Sequence, residues 1–522
     1  MKAEHQFTEN KHQSKRILVN TLLMFLRMLG LMILNLYIVR LTLHGLGVVD
    51  YGVYNVVAGV VLTAQFITTT LAIAIQRFYS YSLGQKDYAR LLTIFSASIN
   101  IILIGSIVML CLGESVGLWF VKTQMNIPQE SYTSAIWVFH FALITLVVNF
   151  FNLPFTAAIF SHEELKYYAI ISLFDYLLRL VMVLIICRLA SERMFYYGLG
   201  LLLIATVILT IYIFIGKFRY SECQYSKVTD NSIYRELLSF SGWSVYGALA
   251  GTSSTHGTNM LLNLFFGPVS NAAYTVAMQL YNAANSVVTS VVMAIRPSMI
   301  KSYGEGNYNY LDKLFYVSNK GLIYLLLCVV LPLIQEMPLV LKFWVGKTSA
   351  EMIVFCRLYL IYLLVLSLHN PITTIIHSIG NIRNYSVVIE TVMLMIIPTT
   401  YIFFRLGLPS YYCFISMIAI SAVAHTLRLY FLHYLYPRFS IIKYIRSLLI
   451  PLIIVVAASC ASLMMIKTIM EESMWRILVS VIAVVATISA MVVTIGLDAE
   501  ERKVLKDFSN KIKSKFGLCV IL

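Results

Sequence analysis

The sequence predicts an all-α polytopic membrane protein of about 14 transmembrane helices, two related six-helix bundles with two further helices appended. Three observations predict it. Of the 522 residues, 59% are apolar and only 12% are charged, with a mean hydropathy of +0.81. A soluble domain of this size needs more charge to cover its exterior, so the exterior faces lipid. Apolar runs of helical length recur along the chain, and the chain matches itself without a gap 220 residues further on.

The apolar runs lie near 17–39, 52–76, 91–112, 133–158, 167–187, 195–215, 237–262, 272–295, 317–341, 352–376, 385–404, 409–432, 447–466 and 475–496. Each approaches the roughly 20 residues that cross a bilayer core. The seventh and eighth are the most polar. The first is too long for a signal-peptide core and has no small-residue cleavage site, so it is expected to remain in the mature protein. Pro154, Pro332, Pro338, Pro371 and Pro398 interrupt apolar runs and are expected to kink or end spans.

In the self-match, Gly47, Val49, Tyr54, Val56, Ala64, Thr69, Ala74, Ile75, Ser82, Gly84, Tyr88 and Leu91 recur as Gly267, Val269, Tyr274, Val276, Ala284, Thr289, Ala294, Ile295, Ser302, Gly304, Tyr308 and Leu311. That is 12 identities in the 45 positions 47–91, where chance gives roughly three or four. Six runs precede the offset, an even number, so the second unit enters the membrane with the orientation of the first. The repeat is therefore parallel, about an axis along the membrane normal, an arrangement on which many secondary transporters are built. The expected organisation is an N-terminal bundle at 1–215, a cytoplasmic connector at 216–236, a C-terminal bundle at 237–435, two appended helices at 440–497 and a basic tail at 498–522.

The net charge of +15 is unevenly spread. One set of alternate loops, counted with the adjoining span ends, holds 27 Lys and Arg, the other 10, and Arg27 and Arg179 lie deeper inside spans. This excess places both termini in the cytoplasm, because cytoplasmic loops retain basic residues. It reads as topology, not as a nucleic-acid surface. Lys503, Lys506, Lys511, Lys513 and Lys515 make the tail a solvated or lipid-facing basic end.

None of the eight cysteines falls in a CxxC or other ligand spacing, so they read as small buried hydrophobes. There is no Walker A sequence, HExxH, GxSxG or DFG-type set, and no cofactor or metal is expected. The predicted outer loops are short, the longest around 113–132, which leaves little room for a catalytic loop. A transporter without a nucleotide site draws on an ion gradient or runs downhill.

The candidate functional residues are those that do not belong in lipid. Arg27 sits midway along the first span, where a cation costs at least about 2.5 kcal/mol, so it should face the bundle interior or a wet cavity. It is either a structural arginine paired with carbonyls or an acid, or a binding group for an anion such as phosphate. Asp175 and Arg179 lie four apart on the fifth span, as a neutralising pair or as one that opens when an anion or proton arrives. Glu390 is protonated, paired across helices, or proton-coupling. The seventh and eighth spans carry Thr255, His256, Asn259, Gln279 and Asn282 among many hydroxyls and amides, fitting a cavity lining or close helix packing equally. His256 is either a titrating group or a hydrogen-bonded structural one. Arg77 and Arg296 fall at the predicted cytoplasmic ends of spans two and eight, where they snorkel and complement helix C-termini or gate an inner mouth.

The strings LGVVDYGVYN at 46–55, SFSGW at 239–243 and NMLLNLFFGPVSNAA at 259–273 resemble bacterial polysaccharide-export flippases of the multidrug/oligosaccharidyl-lipid/polysaccharide superfamily. The resemblance extends over nearly the whole chain in span number, halfway duplication and appended spans. It implies a MATE-like V of two six-helix bundles in a bacterial inner membrane. The implied substrate is an undecaprenyl-pyrophosphate-linked oligosaccharide repeat unit, as for O-antigen or capsule, moved by alternating access. The implied partners are membrane lipid, a coupling proton or sodium ion, and glycan-assembly proteins. A cationic cavity in the first half is also implied, for which Arg27 is the best match, with Asn35 and Arg40 further along the same helix. Two rivals stand beside this reading: a cation-coupled multidrug antiporter of the same superfamily, which needs a buried acid such as Glu390, and a membrane polysaccharide polymerase or ligase.

Overall fold

The computed structural model describes residues 2–47, 50–51, 53–54, 57–58, 61, 65–125, 127–188, 192–228, 230–345 and 349–496. Among the repeat matches, Val49, Val56 and Ala64 lie outside these residues, as does the basic tail.

Among the described residues every regular element is a helix. In chain order the principal ones are α1 (Lys2–Leu46), α2 (Gln65–Gly84), α3 (Tyr88–Leu112), α4 (Tyr132–Phe151), α5 (Leu153–Ser161), α6 (Leu165–Ile186) and α7 (Arg193–Arg219). The long α8 (Ser232–Gly304) follows, then α9 (Tyr308–Gln335), α10 (Met337–Trp344), α11 (Ala350–Ser367), α12 (Asn370–Ile379) and α13 (Arg383–Leu394). The last four are α14 (Ile396–Arg405), α15 (Tyr412–Leu435), α16 (Ile450–Ile469) and α17 (Met474–Met491).

Twelve helical segments among the described residues are long and apolar enough to cross a membrane. The expected spans near 52–76 and 237–262 are not among them. The first lies partly outside the described residues; the second is helical but diluted by Ser, Thr and Asn. The chain is a multi-pass, all-α membrane protein.

Proline and glycine set the breaks. Pro154 and Pro338 stand at the second position of α5 and α10, where the missing N–H is not needed. Pro371 and Pro398 lie in the first turns of α12 and α14. Pro332 differs: it is inside α9, which continues past it to Gln335. Gly267 interrupts α8 with φ 79 and ψ −171, a conformation that a side chain would strain.

The chain divides into two compact units. The first comprises Met1–Leu249, Ser290–Tyr308 and His377–Val387; the second comprises Ala250–Thr289, Asn309–Ile376 and Val388–Leu522. In the first, α1 packs along α6, α4 along α7 and α2 along α5. In the second, the α16–α17 hairpin lays Val455, Leu463, Val484 and Ile488 against Ile323, Tyr324, Leu327 and Leu331 of α9. A buried ion pair fastens that hairpin, with Arg476 Nη2 2.7 Å from Glu336 Oε2.

Candidate functional site

On α6, Tyr168, Ser172, Asp175 and Arg179 are spaced four, three and four residues apart. That spacing puts all four on one helix face. Arg27 of α1 reaches this stripe. Its Nε donates to Ser172 Oγ at 2.6 Å, its Nη2 to the Tyr168 hydroxyl at 3.5 Å, and its guanidinium carbon lies 4.5 Å from the centroid of the Tyr168 ring. Ser172 Oγ spends its own proton on the Ala169 carbonyl at 2.9 Å, so it presents a lone pair to the arginine. Met24, Leu165 and Ala294 pack as a buried cluster beneath, with Phe160 and Tyr168 against it.

Arg27 is half-buried, and no carboxylate pairs with it among the described residues. Hydroxyls and an aromatic face position the charge without cancelling it. Further along the face, Arg179 Nε donates to Asp175 Oδ1 at 3.0 Å, an i, i+4 pair with no net charge. The stripe therefore carries one uncompensated positive charge. A guanidinium can hold a phosphate through two N–H groups in a forked geometry, and Arg27 Nη1 makes no hydrogen bond among the described residues.

The expected polar lining in α8 divides into two kinds of group. Two of its hydroxyls are buried: Ser254 Oγ donates to the Ala250 and Met393 carbonyls at 2.8 and 3.1 Å, and Thr258 Oγ1 to the Ser254 carbonyl at 2.7 Å. Thr255 bonds the Gly251 carbonyl at 3.1 Å, and its own carbonyl accepts the Tyr274 hydroxyl at 3.1 Å. Asn259 Oδ1 accepts Asn271 Nδ2 at 2.9 Å, a bond that straddles Gly267. Each of these groups has a hydrogen-bond partner within α8, and Ser254 has one on α13 as well. His256, Gln279 and Asn282 instead stand exposed, as do Asn35 and Arg40 on α1.

Arg77 and Arg296 are not at helix ends. Because α2 runs to Gly84 and α8 to Gly304, both stand about two turns inside. Arg77 is only 8% exposed; its Nε donates to the His377 carbonyl at 3.0 Å and its Nη2 to the Ser378 carbonyl at 3.2 Å. It thus caps the C-terminal end of α12, supplying donors where the helix has orphan acceptors. The fields of Arg77 and Arg296 both reach His377, so the two arginines serve one neighbourhood. Glu390, half-buried on α13, lies within the field of Arg428 from α15, a cationic neighbour on another helix.

Tyr168 and Ser172 were not legible as Arg27's partners, although their spacing with Asp175 and Arg179 carried the signal. No group of three His, Cys, Asp or Glu side chains able to hold a metal ion occurs among the described residues.

A family model described as polysaccharide biosynthesis protein matches residues 14–303, more than half of the chain. The chain belongs to the polysaccharide biosynthesis protein family. This family member shares its fold with several solved transporters. A MATE protein in the bent conformation aligns with a TM-score of 0.70 at 15% identity, over 81% of this chain and 96% of the other. A MOP superfamily transporter from Pyrococcus furiosus, whose binding pocket is described as having reverse polarity, gives 0.66 at 15% identity over 81% and 96%. An outward-facing multidrug resistance MATE family transporter of the MOP superfamily gives 0.64 at 14% identity over 82% and 97%. Curated proteins give no match. Family and fold together describe a multi-pass membrane protein of polysaccharide biosynthesis that has the fold of the solved MATE proteins.

Proposed function

We propose that the chain translocates an undecaprenyl-pyrophosphate-linked oligosaccharide across the bacterial inner membrane for surface polysaccharide biosynthesis, by alternating access, with both termini in the cytoplasm. The observation that carries this reading is Arg27: a guanidinium inside the first unit, supported by Ser172 and Tyr168 and left without an acid. Such a group recognises the pyrophosphate that joins sugar to lipid, which is common to many glycans. Asp175 and Arg179 lie next on the same face, so an arriving anion competes with Asp175 for Arg179. The exposed Gln279, Asn282 and His256 supply hydrogen bonds suited to sugar hydroxyls.

The test is complementation. Arg27→Ala and Arg27→Lys are expressed in a flippase-null strain and surface glycan is scored at matched protein level. Loss in the alanine variant with partial retention in the lysine variant supports the reading. Full complementation by both removes Arg27 from the binding site.

A multidrug antiporter is favoured by the likeness to MATE folds and by the half-buried setting of Glu390. Exchange of a cationic drug for a proton requires an acid free to titrate at the site. Asp175 is already matched by Arg179 at 3.0 Å, and Arg27 repels cations. A drug-susceptibility panel on a knockout separates the two readings. A polymerase would instead leave single repeat units on the outer face when deleted.

A further inference from the structure

The first unit holds a chamber with both polar and apolar lining, none of whose lining residues belongs to α1 or α6. Its volume is about 410 Å³, within the range of small-ligand sites, about 300–1,000 Å³. It lies where α2, the end of α12, the start of α13 and the first turns of α8 converge.

Its floor is Arg77. The two nitrogens that hold the α12 carbonyls leave Nη1 without a hydrogen-bond partner among the described residues, so a 92%-buried cation (8% exposed) keeps a spare donor in the chamber wall. Gly380 makes this possible: it sits at φ +94, and a Cβ there would be 2.2 Å from Arg77 Nη2. Arg383 stands exposed at the rim, its guanidinium carbon 5.7 Å from the centroid of Trp243. The one acid of the lining is Glu236, and its Oε2 is taken by Arg90 Nη2 at 2.8 Å, a residue outside the lining. Two arginines therefore face the chamber against an acid that is already matched. Asn381 and Ser239 add exposed neutral donors, and Phe240 and Trp243 add flat apolar walls.

We infer that this chamber binds a phosphorylated headgroup, with its phosphate between Arg77 and Arg383 and its organic part against Phe240 and Trp243. Helix termini are where headgroups lie in a bilayer, and a guanidinium pair with an aromatic wall matches a phosphate ester better than a bare ion. The same chemistry comes from two sources: an anionic phospholipid, or a free phosphorylated solute. The inference stands whether or not Arg27 carries the transported substrate.

The experiment uses the full chain purified in detergent and in nanodiscs. Inorganic pyrophosphate is titrated while the melting temperature is followed. In parallel, phosphatidylglycerol retained from mixed phosphatidylcholine nanodiscs is counted by native mass spectrometry. The wild type is expected to respond to at least one probe, and Arg383→Gln to weaken that response about tenfold, equivalent to about 1.4 kcal/mol. Arg383 is exposed and makes no hydrogen bond among the described residues, so its replacement leaves the unliganded melting temperature unchanged. A pyrophosphate response identifies a free solute, and phosphatidylglycerol retention alone identifies a lipid headgroup; either supports the inference. It is overturned if neither probe binds, if Arg383→Gln binds as the wild type does, or if binding is lost with Arg27→Ala and not with Arg383→Gln.

Discussion

Gly84 and Gly304, equivalent positions of the 220-residue repeat, contact each other's helix reciprocally. A Cβ on Gly84 would lie 2.3 Å from the Lys301 carbonyl oxygen, and a Cβ on Gly304 would lie 2.6 Å from that of Tyr81. Tyr81 and Lys301 are themselves repeat equivalents, so the crossing has local two-fold symmetry. The turns beyond it also coincide. Asp87 N donates to the Ser82 carbonyl and Lys86 N to that of Leu83; Asn307 N donates to Ser302 and Gly306 N to Tyr303 in the same way. Lys86 at φ 58 and Gly306 at φ 71 supply the left-handed residue that such a helix end requires.

Backbone meets backbone at this crossing, so neither partner can give way by rotating a side chain. Gly84→Ala and Gly304→Ala are each expected to cost about 1–3 kcal/mol, read as a fall in melting temperature in detergent. An unchanged melting temperature in both variants would refute the close approach.

Beyond the membrane helices, His162 Nε2 lies 2.6 Å from Glu222 Oε1. Burial alone would push the Glu222 carboxyl up, but hydrogen bonds from His162 and from backbone N–H, with the charge of His162, hold it below its usual 4.5. A carboxyl depressed on folding stabilises the fold above its unfolded pKa and loses that contribution as pH falls through the folded value. Glu222→Gln is therefore expected to lower the melting temperature at pH 7 and to match the wild type progressively below about pH 4.5. A difference that stays constant from pH 7 to pH 4 would contradict the assignment.

The appended hairpin depends on Glu336, which is 1% exposed and receives Arg476 through Nε and Nη2 as well as the Ser480 hydroxyl at 3.3 Å. Arg476→Ala leaves that carboxylate without its cation, at a cost of about 1.5–3 kcal/mol. Limited proteolysis is expected to cut first between α15 and α17. Cleavage sites unchanged from the wild type would show that the apolar contacts with α9 suffice alone.

Gly267 is expected to tolerate no side chain. At φ 79 an L-residue is strained by roughly 1–2 kcal/mol, and the Asn259–Asn271 bridge fixes the angle from both sides. Gly267→Ala is expected to lower the melting temperature; Asn271→Ala, which spares the backbone, is expected to cost about 1 kcal/mol. A neutral Gly267→Ala variant would show that the break relaxes.

The repeat was legible because its equivalences are encoded in small residues with strict backbone demands. Gly47 and Gly267 take φ 82 and 79, and Gly84 and Gly304 meet at a crossing where no side chain fits. The membrane class was legible from composition, since lipid is the only solvent that tolerates such a surface. Arg27 was legible as a charge out of place. Its setting was not, because Ser172 and Tyr168 approach from a helix more than 140 positions away. Arg77 was harder still: its acceptors are backbone carbonyls, which every residue carries, so no pattern of side chains marks them. Hydroxyl-rich stretches such as 252–258 leave lining and packing open, because a Ser or Thr that bonds the carbonyl four residues back looks the same in sequence as one that faces water.

The most direct measurement is translocation itself. Purified protein is reconstituted into liposomes with a lipid-linked oligosaccharide, and the fraction of glycan reaching the opposite leaflet is read with a membrane-impermeant lectin. The account predicts transfer by the wild type and at least a tenfold slower rate in Arg27→Ala at equal incorporation, the loss of about 1.4 kcal/mol expected of a single charged contact. Equal rates in the two proteins would contradict it.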